Sequence, residues 1–510
     1  MEKSKRRQAI VVIHGIGEQR PLNTMRSLVK SLLSYERKDE RGDQDVRDWV
    51  KPDRISKSYE MRKITAKKVE GKRSTTHFYE YHWAGKMTNS HASHVFRWLC
   101  SLLTMKRIFS KTTVTIKIVQ ILSVVLFGLW ILFPVRITLE HLFICNHPFI
   151  DHHSLQWIFG LILPFLLSRY FLARIFIGYI GDAARYLRND PSNIAQREDI
   201  RRDGIKFLKR LHKDGEYDRI ILVGHSLGSV IAYDLLTYLW IDFNKSLKLP
   251  ALPDKKIKKF SKNSRWHCII HETPELEKTL DEICSASQSL IKQGQEIKDW
   301  KAIQQSLEFK TYRNKQEAFW NAIHTSKNKK ANKDQKTAGW LISDLITLGS
   351  PLTHGNLLMS DSNEEFQRVK MTRQFPTCPP SQDPPPRKEI EKGKATDRSY
   401  YQYMNENNEL FLNHGTPFFP TKWTNLYFNS DYIGGPINHQ FGPGIKDIEL
   451  KHNLPCYKFW KKLPLFTHGH YWSLNATSQN IKSLKEYLAI KELYKVMRLD
   501  DLERKVYSKN

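Results

Sequence analysis

The sequence predicts a parallel α/β sheet that is interrupted by long insertions. Short apolar runs rich in β-branched residues alternate with stretches of helical periodicity. The five strand candidates cover residues 9–13, 77–83, 219–223, 345–348 and 424–428. Because strands that alternate with helices are typical of a parallel sheet, the predicted fold class is α/β with a mostly parallel sheet.

Glycine-rich turns follow the first and third strand candidates. The tetrapeptide HGIG at residues 14–17 comes after the first strand and precedes an apolar-periodic stretch over residues 22–33. The pentapeptide GHSLG at residues 224–228 comes after the third strand and opens a helix that we expect to continue to about Phe243. Each pattern indicates a buried strand, a glycine turn and a helix in succession.

Length and composition exclude several classes of protein. At roughly 150 residues per domain, the 510 residues allow about three domains or one domain enlarged by insertions. Hydrophobic residues make up 40% of the chain, enough for a core, whereas a mean hydropathy of −0.52 is too polar for a transporter with many spans. The six cysteines lack Cys-x-x-Cys spacing, which argues against a zinc ribbon, a thioredoxin-type site and a dense disulfide framework. We expect a reducing compartment.

The net charge of +28 is compatible with nucleic acid, an anionic membrane surface or an acidic substrate as partner. Charge alone does not choose among these, but the chain contains no recognised nucleic-acid motif, so we do not expect nucleic acid. The apolar stretch after the basic N-terminus is interrupted at residues 15–17. It is too short for a signal peptide, and we expect no cleaved leader.

Two apolar segments between the second and third strands predict a transmembrane hairpin. Residues 118–135 form an uncharged run of 18 residues, close to the length that crosses a bilayer. Residues 154–168 are also uncharged, and their apolar character continues to residue 180. Basic residues lie before the first segment and at or after the second: Lys106, Arg107, Lys111, Lys117, Arg169, Arg174, Arg185 and Arg188. With Arg136 alone between the segments, the positive-inside rule places both flanks in the cytoplasm. Buried core helices are the alternative for both segments, and a membrane-surface helix is another for the second.

The strongest indication of chemistry is the G-x-S-x-G pattern at residues 224–228. Its glycines permit a sharp turn between strand and helix that projects the Ser226 hydroxyl above the sheet edge as a nucleophile. A purely structural turn is the alternative. The turn at residues 14–17 is where a second oxyanion donor is expected, and we assign the oxyanion hole to the N–H groups of Ile16 and Leu227. A dinucleotide-binding fingerprint is set aside because Arg20 occupies the third glycine position.

A serine nucleophile needs a base and an acid, which follow it along the chain in this type of fold. Asp431 lies in a loop after the fifth strand candidate, where a turn residue is the alternative interpretation. His468 lies in FTHGHYW at residues 466–472, and His470 is the competing base. The His-x-His pair is a weak metal site because no third ligand of suitable spacing lies nearby. We expect neither a metal nor an organic cofactor.

In order along the chain, the motifs resemble those of the lipase-like serine esterases of the α/β-hydrolase fold, in particular bacterial membrane-associated members. The matching stretches are VVIHGIGEQRP, FYEYHWAG, GDAARYL, ILVGHSLGSVIAYD, LITLGSPLTHG, WTNLYFNSDYIGGP and THGHYW. They span most of the chain from Ile10 to Trp472. In similar sequences the last motif reads His-x-x-Tyr-Trp, so the resemblance implies His468 as the base and Asp431 as the acid. Tyr471 and Trp472 are expected to be core or pocket wall, and His225 is expected to pack beside the turn of Ser226.

The resemblance implies one hydrolase domain with insertions. Its first part, with the oxyanion loop, covers residues 1–100, and the transmembrane hairpin covers residues 101–190. The core with the nucleophile turn covers residues 191–244. A basic, helical, cap-like insertion at residues 245–340 separates it from the core with the acid and histidine loops at residues 341–510.

The sequence therefore predicts a membrane-anchored serine hydrolase that cleaves carboxylic esters. The expected substrates are lipid or phospholipid acyl esters, or a small acyl ester, and the bilayer is the expected partner. The catalytic domain of this integral membrane protein would face the cytoplasm, from the inner membrane in a bacterium. An acyltransferase or a thioesterase would use the same triad. A non-catalytic membrane scaffold on a hydrolase fold is the alternative outside the enzymes.

Overall fold

The computed structural model divides the chain into two compact units, Met1–Lys86 with Ala195–Asn510, and Met87–Ile194. The residues that the structure describes are 7–15, 21–37, 49–53, 55, 62–86, 186, 191–244, 274–297, 299–325, 339–360, 362–383, 396–404, 410–431, 433–451, 467–472 and 488–502. Every strand described below belongs to the first unit. The candidate site therefore belongs to that unit as well.

An eight-stranded, mostly parallel sheet forms the centre of the first unit. The described residues form ten strands, eight in this sheet and two in a second, smaller sheet. They are β1 Arg7–Ile13, β2 Trp49–Pro52, β3 Arg62–Ala66, β4 Thr75–Tyr81, β5 Arg219–His225, β6 Ile342–Leu348, β7 Gln402–Met404, β8 Leu410–Leu412, β9 Lys422–Phe428 and β10 Lys446–Leu450. Across the sheet their order is β10-β9-β6-β5-β1-β4-β3-β2, and β7 pairs with β8 in a separate two-stranded sheet. Parallel pairing runs from β10 to β4, whereas β3 and β2 are added in antiparallel fashion. The predicted mixed α/β class with a mostly parallel sheet is confirmed.

The five strand candidates coincide with β1, β4, β5, β6 and β9. Nearly all of their residues are buried, as expected for strands that are covered on both faces. The sequence did not predict β2, β3, β7, β8 or β10. In β3 and β10 only two of five residues are buried, so neither strand carries a continuous apolar run.

Helices lie between the strands along the chain. They are α1 Asn23–Arg37, α2 Pro191–Lys213, α3 Leu227–Asn244, α4 Pro274–Glu296, α5 Trp300–Gln305, α6 Leu307–Thr325, α7 Gly355–Leu358, α8 Asn363–Met371, α9 Asn438–Phe441 and α10 Leu488–Met497. In α3, 15 of 18 residues are buried, because this helix is apolar on nearly all sides and lies in the core. The predicted helical insertion at residues 245–340 contains α4, α5 and α6, and α4 packs against α6.

Among the residues that the structure describes, no helix is long and apolar enough to cross a bilayer. The predicted transmembrane hairpin over residues 118–180 lies outside the described residues. The described fold gives the hairpin no support, and it stays a prediction from the sequence.

A buried charge cluster joins the amino ends of the central strands to the chain after α10. The Arg219 guanidinium on β5 donates to Asp344 Oδ2 on β6 at 2.6 Å, and Arg498 donates to Asp344 Oδ1 at 3.1 Å. Ser343 donates to the same carboxylate at 2.6 Å. Burial by itself would raise the pKa of Asp344, but the charges of Arg498, Arg219 and Lys422 outweigh it and hold that pKa well below its usual range. The carboxylate is therefore the shared counter-charge for these cations.

Replacing Asp344 by Asn should destabilise the protein by about 3–5 kcal/mol, because the buried Arg219 loses its close counter-charge and keeps, of the described carboxylates, only Asp501 at 4.0 Å. Urea unfolding measures this loss. The matched control is Asp199→Asn, which removes an exposed partner of Arg202 and should cost less than about 1 kcal/mol. Similar losses for the two variants would contradict the buried cluster.

Candidate active site

The parallel register brings four chain segments to one edge of the sheet. Ile13 on β1 lies opposite Gly224 on β5, and His225 lies opposite Leu348 on β6. Leu348 in turn lies opposite Leu426 on β9. Because parallel strands end at the same edge, the turns after β1, β5, β6 and β9 lie side by side there. All of the motifs that suggested chemistry occur in or next to these turns.

Ser226 occupies a sharp turn between β5 and α3. The strand ends at His225 and the helix begins at Leu227, so a single residue connects them. Its φ of 53° lies in the left-handed region, which is strained for a residue with a side chain. The Ser226 N–H donates to Leu348 O, and the Ser229 N–H donates to Ser226 O, each at 2.9 Å. These bonds hold the serine in the sharp strand-to-helix turn that is typical of a nucleophile, although the residue itself is only 3% exposed.

Close backbone packing explains the glycines on both sides of Ser226. A Cβ at Gly228 would lie 2.2 Å from Ile13 O, and a Cβ at Gly224 would lie 2.5 Å from Ser229 Cα. Gly15, in the turn after β1, packs against the serine itself, because a Cβ there would lie 2.8 Å from Ser226 Cβ. The turn after β1 therefore lies directly against the candidate nucleophile.

Of the two predicted oxyanion donors, Leu227 is the first residue of α3 and is fully buried, whereas Ile16 lies outside the described residues. Desolvation lowers the pKa of the buried His14 to about 4, so its ring is neutral. The Trp83 backbone N–H approaches His14 Nε2 at 3.4 Å, so His14 Nδ1 carries the proton and donates to Gly15 O at 2.8 Å. His14 thus fixes the direction of the Gly15 carbonyl beside Ser226.

Asp431 and His468 form a buried pair. His468 Nδ1 lies 3.0 Å from Oδ1 and 2.9 Å from Oδ2 of Asp431, and the two residues are only 5% and 4% exposed. The Ile433 N–H also donates to Asp431 Oδ1, at 2.9 Å. An aspartate in this position holds an imidazole in one orientation and leaves its Nε2 for proton transfer. The histidine that contacts Asp431 is His468, and the backbone N–H of the competing His470 donates to Thr467 O.

Burial by itself would raise the pKa of Asp431. The His468 ring and the hydrogen bonds from His468, Tyr471 and Ile433 outweigh burial, and the pKa lies below its ordinary value. Asp431 is therefore ionised at neutral pH, as a group that stabilises a charged imidazole must be.

Tyr471 is a site residue to which the sequence assigned only packing. Its hydroxyl donates to Asp431 Oδ2 at 2.7 Å, and its side chain is buried. Burial and the charge of Asp431 raise the pKa of Tyr471 well above its usual value, so the hydroxyl stays a donor. The sequence carried one signal of this contact. Tyr471 follows His468 by three residues, which puts both side chains in one short turn.

His225 links the segment at residues 467–472, the histidine loop, to the candidate nucleophile. Its ring stacks on that of His468 with centroids 4.9 Å apart, and it directly precedes Ser226 in the chain. The structure therefore gathers Ser226, His468, Asp431 and Leu227 of the predicted site at one edge of the sheet. Within the described ranges, no group of three or more His, Cys, Asp and Glu residues could hold a metal ion.

The chain matches no protein-family model, no curated protein and no solved structure. The resemblance to lipase-like esterases therefore rests on the motifs alone. A function has to be argued from the geometry of the site, since one fold hosts many activities.

Gly349 tests how tightly Asp431 is enclosed. Its φ is 55°, and a Cβ there would lie 2.6 Å from the Tyr471 ring and 2.8 Å from Asp431 Oδ2. Gly349→Ala should therefore cost about 1–2 kcal/mol for the left-handed backbone and about 1–3 kcal/mol more for overpacking, measured by urea unfolding. Gly71→Ala is the matched control, because Gly71 has φ 71° with nothing within 4 Å and should lose the backbone contribution alone. Equal losses would contradict close packing around Asp431.

Proposed function

We propose that this protein is a serine hydrolase of the α/β-hydrolase fold that cleaves carboxylic esters. The observation that carries the proposal is the buried contact between His468 Nδ1 and the Asp431 carboxylate, beside the strained turn of Ser226. The chain order of serine, acid and histidine also supports it, as does the turn after β1 that packs against Ser226.

In the proposed reaction, Ser226 Oγ attacks the acyl carbonyl carbon while His468 Nε2 accepts the serine proton. The tetrahedral intermediate collapses, the bond to the alcohol oxygen breaks, and His468 returns the proton to the leaving alcohol. Water then attacks the acyl-serine with His468 again as base, which releases the carboxylic acid and restores the hydroxyl. Asp431 orients the imidazole and stabilises its positive charge throughout.

The oxyanion of each tetrahedral intermediate needs donors that are already in place. We assign this role to the backbone N–H of Leu227 and, from the sequence, to that of Ile16. Each such donor is worth about 3 kcal/mol of transition-state stabilisation in comparable sites. Two features support this assignment: the left-handed turn at Ser226 and the His14 bond to Gly15 O. The first restrains the backbone at the serine, and the second restrains the facing turn after β1.

Lipid or phospholipid acyl esters are the substrates that we propose, with a small acyl ester as the alternative. The reason is the predicted membrane hairpin, which would hold the site close to bilayer substrates, and the basic balance of the chain, which favours an anionic surface. An acyltransferase or a thioesterase would use the same three side chains. The proposal requires no metal, no organic cofactor and no nucleic acid.

Labelling by a fluorophosphonate probe tests the nucleophile. The probe should modify the wild type and should not modify Ser226→Ala, because the hydroxyl is the group that it phosphonylates. Asp431→Asn and His468→Ala should each lower the labelling rate and ester turnover by about 10³–10⁴-fold. His470→Ala is the matched control and should retain the wild-type rate. Equal labelling of wild type and Ser226→Ala would refute the serine hydrolase, and damage by His470→Ala alone would reassign the base.

Membrane anchoring by residues 118–180 has a separate test. Membranes that contain the full chain should retain it after alkaline carbonate extraction, because a bilayer-spanning hairpin is not released by charge screening or high pH. Deletion of residues 118–180 should release the protein, with fluorophosphonate labelling of Ser226 as the check that the remainder is folded. Release of the intact chain by carbonate would refute the two-span anchor.

A further inference from the structure

His225 contacts the histidine loop through a hydrogen bond as well as through ring packing. Its Nε2 lies 3.0 Å from the backbone oxygen of His468, and its ring stacks on the His468 ring at an interplanar angle of 28°. The ring of Trp472, from the same loop, meets it edge-on with centroids 4.7 Å apart. His225 therefore contacts both the backbone and the side chain of the proposed base.

The protonation of His225 follows from these contacts. Desolvation, together with the neighbouring His468, lowers the pKa of His225 to about 3, so its ring is neutral and carries one N–H. A backbone carbonyl oxygen can only accept, so the proton is on Nε2 and His225 donates to His468 O. A ring with so low a pKa is a poor base, and His225 does not compete with His468 for the proton of Ser226.

The position of His468 relative to Ser226 is set by bonds from two directions. Asp431 contacts His468 through Nδ1. This contact fixes the orientation of the ring relative to the loop after β9. The hydrogen bond from His225 fixes the backbone of His468 relative to the last residue of β5. That last residue is His225 itself, which directly precedes Ser226 in the chain. Since a shift of about 1 Å between reacting groups can cost about 10²-fold in rate, a bond that ties His468 to the residue before Ser226 bears directly on proton transfer between them.

We infer that His225 is a positioning residue: by donating to the backbone oxygen of His468 and stacking on its ring, it holds the base against the end of β5, next to Ser226. The inference rests on the proposed triad and assigns the second residue of the G-x-S-x-G motif a role in the reaction. His225 itself touches neither the substrate nor the transferred proton.

A pair of nearly isosteric replacements isolates the hydrogen bond. His225→Gln keeps a donor at the end of an unbranched side chain, and His225→Met has the same length without a donor. With the full chain and a fluorophosphonate probe, the maximal labelling rate should fall about 10²-fold in the methionine variant, while the probe concentration at half-maximal rate stays within about twofold. The glutamine variant should recover at least about tenfold of that loss, since it restores the donor.

His225→Phe separates stacking from hydrogen bonding, because it keeps a ring and lacks the donor. It should label as slowly as the methionine variant even when urea unfolding shows wild-type stability. Equal rates for the glutamine and methionine variants, or a wild-type rate for the phenylalanine variant, would overturn the inference. His77→Phe is the matched control, since His77 is a buried strand histidine whose Nδ1 lies 2.7 Å from the Tyr217 hydroxyl, and it should label at the wild-type rate.

Wild type and Ser226→Ala in the same experiment separate this inference from the proposed function. If the wild type is not labelled, or if Ser226→Ala is labelled equally, the serine hydrolase fails and the role of His225 fails with it. If the wild type is labelled, Ser226→Ala is not, and the His225 variants match the wild type, the role of His225 alone fails.

Discussion

The parallel register of β1, β5, β6 and β9 is the constraint on which the site depends. Because these strands run in the same direction and pair without an interposed strand, their carboxyl ends meet at one edge. Residues separated by more than 200 positions in the chain, such as His225 and His468, contact each other there. The Arg219 and Asp344 cluster lies at the opposite ends of β5 and β6, so the charges that stabilise the sheet are kept apart from the proposed chemistry.

The edge of the sheet is packed so closely that backbone atoms replace side chains as contact partners. Gly228 lies against the end of β1, and Gly349 leaves room for the Asp431 carboxylate and the Tyr471 ring. The strained conformation of Ser226 persists because backbone bonds on both sides restrain it. Strain, close glycine contacts and a buried ionised carboxylate occur together, which is the combination expected where a fold gives up stability for function.

Much of the central sheet could be predicted because its strands are covered on both faces and read as continuous apolar runs. The edge strands β2 and β10 and the strand β3 next to β2 carry charged residues and were missed, since their burial depends on pairing with neighbours. Within the site, Ser226 was recognisable from local spacing. Asp431 was equally compatible with an ordinary turn, and only its contact with His468 distinguishes the two interpretations.

Tyr471 and His225 show where reasoning from sequence ends. Both looked like packing residues, because an aromatic or imidazole ring beside an apolar strand has the same local pattern whether it only fills space or also donates a hydrogen bond. By itself the sequence determined the fold class, the strand-turn-helix around Ser226 and the candidates for base and acid, all of which depend on near neighbours in the chain. Tertiary structure alone decided which carboxylate contacts which imidazole and where each proton is held, because hydrogen bonds of about 3 Å join residues that the chain separates by tens to hundreds of positions.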